Sequence, residues 1–145
     1  MPQTPSDALQ QATFYTDDQP YRLVQLPAKA ITAAAGVIAE IGEAFCALIV
    51  DKDEVTLMIP QDALDDFGDR LPGHESGETY RLITIDAILS PDLLGFMATV
   101  STALAEAGIG VFPYAAYSRD HIFVPQGQQQ TALTTLQALQ TDHTA

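Results

Sequence analysis

The chain is 145 residues long, 47% hydrophobic and strongly acidic, with six Lys or Arg against nineteen Asp or Glu and a formal net charge of −13. That length suits one compact domain or two very small ones, and the apolar share is enough to bury a core. The six cations, Arg22, Lys29, Lys52, Arg70, Arg81 and Arg119, stand singly, so nucleic acid and anionic membrane surfaces are excluded as partners: both need clustered positive charge.

No run of about eighteen apolar residues exists, so no membrane span is expected. Met1 to Ala12 has neither a basic start nor an apolar core, so no export signal is expected there. The single cysteine, Cys46, allows no internal disulfide and sits among apolar neighbours, which predicts a packed thiol in a reducing compartment, the cytoplasm.

In chain order, Met1 to Pro5 reads as mobile, and Ala8 to Tyr15 as a short helix or strand laid on the surface. Tyr21 to Leu26 alternates like a strand and ends at Pro27. Ile31, Ala34, Ala35 and Ile38 mark a short helix face. Phe45 to Val50 is a nearly continuous apolar run, which predicts a central strand covered on both faces. Asp51 to Glu54 turns the chain, Val55 to Ile59 returns as its hairpin partner, and Asp62 to Phe67 makes about one helical turn. Gly68 to Gly77, dense in Gly and polar residues, reads as a linker.

Tyr80 to Ile85 is the next strand. Leu93, Phe96, Met97, Val100, Leu104 and Ala107 then recur at three- and four-residue steps, one face of an amphipathic helix. Pro91 and Asp92 suit its entrance and Gly108 its end. Ile109 to Phe112 and His121 to Val124 read as strands around a connection at Tyr117 to Asp120, and a last helix carries Leu133, Leu136 and Leu139 on one face. The predicted fold class is therefore α+β: two βαββα halves with antiparallel sheets, residues 15–70 and 77–141, each lacking a closing strand. An edge left unpaired in this way predicts a homodimer or a close half-to-half interface.

Catalytic and metal chemistry find little support. His74, His121 and His143 show no ligand spacing with one another or with Cys46; His74 beside Glu75 and Glu78 reads as a solvated loop and His143 as a tail residue. There is no GxSxG, no phosphate loop and no GxGxxG, since Gly108-Ile109-Gly110 lacks a third glycine, so no cofactor is expected. Adjacent pairs such as Asp17-Asp18 and Asp65-Asp66 point apart and read as surface charge. Gly95 is different: without a Cβ, it lets a backbone or a ligand approach the N–H groups of a first helical turn, where a carboxylate is favoured. Tight helix-to-strand packing would explain it equally well. Asp120 is open to two readings as well, a cap on its own turn paired with Arg119 or Arg22, or a ligand contact.

Gly95, a helix, and then LAEAGI at Leu104 to Ile109 resemble the ACT domain, the small-molecule regulatory module of amino-acid metabolism. Tyr114 to Pro125 (YAAYSRDHIFVP) is similar, more narrowly, to CASTOR-type ACT proteins: a small polar or Thr pair, an aromatic, two variable residues and an Asp. Tyr117, Asp120 and His121 keep that pattern, and Val124-Pro125 ends it in the same way. The likeness reaches back to Tyr80 and, more weakly, covers Tyr21 to Leu64.

The resemblance implies two ferredoxin-like, ACT-like halves and a non-catalytic sensor that holds an amino acid or related carboxylate where the halves meet. Carried over, the ligand meets Leu94, Gly95 and Phe96, with Asp92 at the helix entrance, on one side, and Ile109, Gly110 and Val111 on the other; Asp120 takes its cationic end. Two positions depart from the pattern: Leu93 stands where those sensors carry an acid, and Ala115-Ala116 replaces the polar pair. Arginine specificity therefore does not follow, and a smaller or more apolar amino acid fits as well. The competing reading is a ligand-free interaction module that dimerises through an exposed edge at Val111 to Tyr114.

Overall fold

A computed structural model of the protein describes residues 3–142; Met1, Pro2 and His143 lie outside them. The elements, in chain order, are α1 (Pro5–Gln11), β1 (Thr13–Tyr15), β2 (Pro20–Pro27), α2 (Ile31–Glu40), β3 (Ala47–Val50), β4 (Glu54–Pro60), α3 (Gln61–Phe67), β5 (Glu75–Asp86), α4 (Phe96–Glu106), β6 (Phe112–Ala115), β7 (Asp120–Pro125) and α5 (Gln129–Asp142). The fold is α+β with antiparallel sheets and is ferredoxin-like. The chain divides into two compact units, residues 19–80 and residues 1–18 with 81–145, and the division falls inside β5.

In the unit of residues 19–80, β4 lies between β2 and β3, pairing antiparallel with both, so that Tyr21 stands opposite Pro60 and Val50 opposite Val55. Val24 and Leu26 on β2 alternate with exposed positions and, with Val55, Leu57 and Ile59 on β4, meet Ala34 and Val37 of α2 in one core. The apolar run before residue 50 is an edge, not a central strand: β3 pairs only with β4 among the described residues, and Ile49 and Val50 are 46% and 48% exposed. An apolar run cannot tell which strand will be its neighbour, and β4 takes the centre because β2 covers its other side. Cys46 packs half-buried against this core, where burial pushes its thiol pKa up, the behaviour of a packed thiol.

The stretch from 68 to 77 is only partly a connection. Its glycine-rich middle is a tight turn: the His74 N–H donates to the Leu71 carbonyl at 3.3 Å, and Gly73 has φ +73, where a Cβ would also press on Pro27 at 3.2 Å. Strand begins at Glu75, earlier than polarity predicts, because Arg22 holds it: its Nη2 donates to Ser76 Oγ and to the Gly77 carbonyl, both at 2.7 Å. The first part of β5 thus supplies the strand that the N-terminal half lacks in sequence.

The other unit is closed by the start of the chain. Thr13, Phe14 and Tyr15 pair antiparallel with Asp86, Ile85 and Thr84 of β5. Ahead of them, α1 has a complete capping box, Thr4 Oγ1 accepting from the Asp7 N–H at 3.1 Å and Asp7 accepting from the Thr4 N–H at 3.0 Å. Gln3 is held too, its Oε1 accepting from the Ser90 N–H at 2.7 Å. The stretch expected on the surface is therefore core: Ala8 and Leu9 are fully buried among Ile83, Ile85, Val100, Leu104, Ile122 and Leu136. Gln140 of α5 fastens it by donating to the carbonyls of Leu9 and Ala12 at 2.7 and 2.8 Å.

Helix α4 starts five residues later than Pro91. Gly95 has φ +77, a left-handed conformation that no α-helical run can pass through, and the first helical bond is Thr99 N–H to the Gly95 carbonyl. Pro91 and Asp92 belong to the preceding turn, with Asp92 accepting from the Ser90 hydroxyl. The helix ends as the sequence predicts. The Gly108 N–H, at φ +79, donates to the Ala105 carbonyl and the Ile109 N–H to the Leu104 carbonyl, the pair of hydrogen bonds that closes a helix through a left-handed glycine.

Candidate functional site

The nine residues between the end of β5 and the start of α4 form a loop beside the β6–β7 hairpin, joined to it where the Leu89 N–H donates to the Ser118 carbonyl at 2.9 Å. The Arg119 guanidinium adds a second tie, Nε to Asp86 Oδ1 at 2.7 Å. Between loop, hairpin and the first turn of α4 lies a cavity of about 350 Å³. Leu89, Leu93, Phe96, Met97 and Ala116 give it an apolar wall, and Ser90, Ser118, Arg119 and Asp120 a polar one.

Strand alternation aims Asp120 at this cavity. Asp120, Ile122 and Val124 share one face of β7, and the latter two are buried in the core with Val100 and Leu104 of α4. Asp120 therefore ends a core-facing row, below the start of the helix. Its carboxylate takes part in no hydrogen bond or salt bridge among the described residues. Partial burial pushes its pKa up, and neighbouring His121 pulls the other way. The turn-capping reading does not fit it. The other unit shows what such a cap looks like: Asp51 Oδ1 accepts from the Asp53 and Glu54 N–H groups at 2.8 and 2.9 Å, and those bonds pull its pKa down. Nor is Asp120 the partner of Arg119, which is held by Asp86, or of Arg22, which is held by Gln61, Ser76 and Gly77.

At the top of the cavity no side chain caps α4. The first N–H groups of the helix are free of intrahelical partners, at the end where the backbone dipole is positive. An anion is favoured there and a cation at Asp120.

The other predicted residues are placed differently. Of the first cluster, Phe96 lines the cavity and is 4% exposed, whereas Leu94 is 84% exposed and Asp92 is engaged with Ser90. Gly95 lines nothing: a Cβ there meets nothing within 4 Å, so its glycine is explained by φ and not by a close approach. Ile109, Gly110 and Val111 follow the far end of α4, eleven residues or about 16 Å of helix away, and Ile109 is 3% exposed in the core. Within this unit they do not face Gly95. Sequence reasoning missed Leu89, Leu93, Met97 and Arg119 as lining; the register of the hairpin against the loop, which places them, carries no local signal.

A larger concavity of about 470 Å³ lies in the unit of residues 19–80, but its only ionisable lining is Glu54 and Glu75, which offers an anion nothing. No group of three His, Cys, Asp or Glu able to hold a metal exists among the described residues, and no helix among them is long and apolar enough to cross a membrane.

Residues 75–138 match a family model described as the ACT domain. The matched stretch is similar to the ACT domain. It contains the cavity whole, from Leu89 to Asp120. No curated protein sequence matches the chain. Among solved structures, it is similar to a Vibrio cholerae protein of unknown function, described as a possible transport protein, at 26% identity and a TM-score of 0.72, over 91% of this chain and 92% of that one. It shares its fold with the regulatory subunit of aspartate kinase from Thermus flavus, at 14% identity and a TM-score of 0.62, over 88% and 97%. It also shares its fold with aspartate kinase from Clostridium acetobutylicum, at 12% identity and a TM-score of 0.66, over 85% of this chain but only 33% of the kinase.

Proposed function

We propose that this protein is a non-catalytic regulatory module that binds an amino acid, or a related carboxylate bearing an amine, in the cavity at the start of α4. The single observation that carries this reading is the Asp120 carboxylate, half-buried, without a hydrogen-bonding partner and lining a cavity whose other end is an uncapped helix terminus. A partly desolvated carboxylate without a partner costs some free energy, and such groups concentrate where ligands bind. The two ends match the two charges of an amino acid: the helix terminus takes the carboxylate and Asp120 the ammonium. The ACT match and the regulatory subunit of aspartate kinase support the regulatory role. The CASTOR-type character of the hairpin, with Tyr117, Asp120 and His121 in place, belongs to this same reading.

A thermal-shift screen of the twenty amino acids and common metabolic acids tests it. A ligand bound only by the folded state stabilises it by about 2.7 kcal/mol at a hundred times its dissociation constant, a shift of several degrees for a chain of this size. Asp120→Asn should remove the shift for every ligand with an amine. No shift from any compound at millimolar concentration would refute binding and leave an interaction module. That second reading has an observation of its own, the edge strands β3 and β6, where Ile49, Val50 and Phe112 stand exposed. Self-association through such an edge would give a homodimer in light scattering, with or without ligand.

A further inference from the structure

We infer that the cavity selects a neutral amino acid with an aliphatic or thioether side chain and rejects those with charged side chains. The inference rests on the binding mode proposed above and deepens it. Of the two charged groups that line the cavity, Arg119 is held by Asp86 and Ser118, which leaves Asp120. Once Asp120 holds the ammonium and the start of α4 the carboxylate, no ionic group remains to meet a side chain. What remains is the wall of Leu89, Leu93, Phe96, Met97 and Ala116, with Phe96 4% exposed and Leu93 and Met97 packed half-buried against the core. A guanidinium, ammonium or second carboxylate placed there would lose its water and gain no partner. An alkyl chain would lose only unfavourable hydration, and Met97, unbranched and pliant, can shape itself around it.

The loop that makes this wall exists in one unit only. In the unit of residues 19–80, β2 ends at Pro27 and the chain turns into helix at once through Ala28–Ala30. The strand-to-helix connection there has no equivalent of Leu89 and Leu93, and its hairpin Asp51 is bound to its own backbone. The selection therefore predicts one site per chain, not two.

Isothermal titration of the full chain with alanine, 2-aminobutyrate, norvaline, leucine, methionine, arginine, lysine, aspartate and glutamate decides the matter. Each added methylene from alanine to norvaline should tighten binding about fourfold, at one ligand per chain, and the four charged amino acids should bind at least tenfold more weakly than leucine. Met97→Glu, at a half-buried position of α4 that lines the cavity, should weaken leucine and strengthen lysine. Arginine or aspartate binding more tightly than leucine in wild type, and lost in Asp120→Asn, would overturn the selectivity and leave the site standing. Saturation at two ligands per chain would overturn the one-site claim. No binding by any of the nine would overturn the site and the selectivity together.

Discussion

The Thr84 hydroxyl and His121 Nδ1 lie 2.8 Å apart, a bond between β5 and β7 on the face of the sheet opposite Asp120. Thr84 is 7% exposed, and its pairing with the imidazole satisfies a hydroxyl that would otherwise be buried alone. Because Asp120 and His121 are successive residues, whatever fixes the ring also fixes the strand position from which Asp120 enters the cavity.

Burial is the first cause that holds the His121 pKa below its ordinary value; Asp120 opposes it and Arg119 reinforces it. With a depressed folded-state pKa, the stability linked to His121 is complete above 6.5, the ordinary value, and is lost as pH falls through the folded value. The melting temperature should therefore drop from pH 7 to pH 5. In His121→Gln, that part of the drop should vanish, leaving the slope set by the carboxylates; an unchanged slope between pH 7 and 5 would contradict the linkage.

Asp120 runs the other way. Its folded-state pKa is raised, so the stability linked to it is present below 3.8 and lost as pH rises through the raised value. At pH 7 the unliganded protein carries that penalty in full. Asp120→Asn should raise the stability of the ligand-free chain slightly, by less than about 1 kcal/mol after solvent screening, while abolishing the ligand-induced shift. Urea unfolding with and without ligand reads both effects, and their opposite signs separate a binding role from a structural one.

Gly108 ends α4 at φ +79 with open space around it, so its role is conformational. Gly108→Ala should cost about 1 kcal/mol or somewhat more, the penalty of a Cβ in the left-handed region. The same reasoning holds at Gly95, also left-handed and also in open space: Gly95→Asn should be tolerated better than Gly95→Val. Denaturant midpoints at unchanged slope would check both.

Leu9 is fully buried in the core that supports the cavity. Leu9→Ala should destabilise by about 2 to 5 kcal/mol, a large share of the stability of a small domain. Loss of ligand binding should accompany it under conditions where the wild type is folded. A surface-laid segment would show a change within about 0.5 kcal/mol.

Much of this molecule is legible in its sequence. The 3.6-residue spacing of Phe96, Met97, Val100 and Leu104 defines the buried face of α4, Gly108 marks its end, and the alternation of Tyr21 to Leu26 defines β2. These succeed because helix and strand periods, and the backbone freedom of glycine, act between residues close in the chain. Asp120 is also legible as a candidate, though not the reason for it. What the tertiary structure decided are the pairings between distant residues: Thr13–Tyr15 closing a sheet some seventy residues away at Thr84–Asp86, β3 left at an edge, and Gly95 parted from Ile109 by the length of a helix. Local pattern tells a strand which face to bury, but not which strand will satisfy its N–H and C=O groups. That choice follows from the burial and hydrogen bonding of the whole chain at once, and it is what brings Asp120 beneath the start of α4 and leaves it without a hydrogen-bonding partner among the described residues.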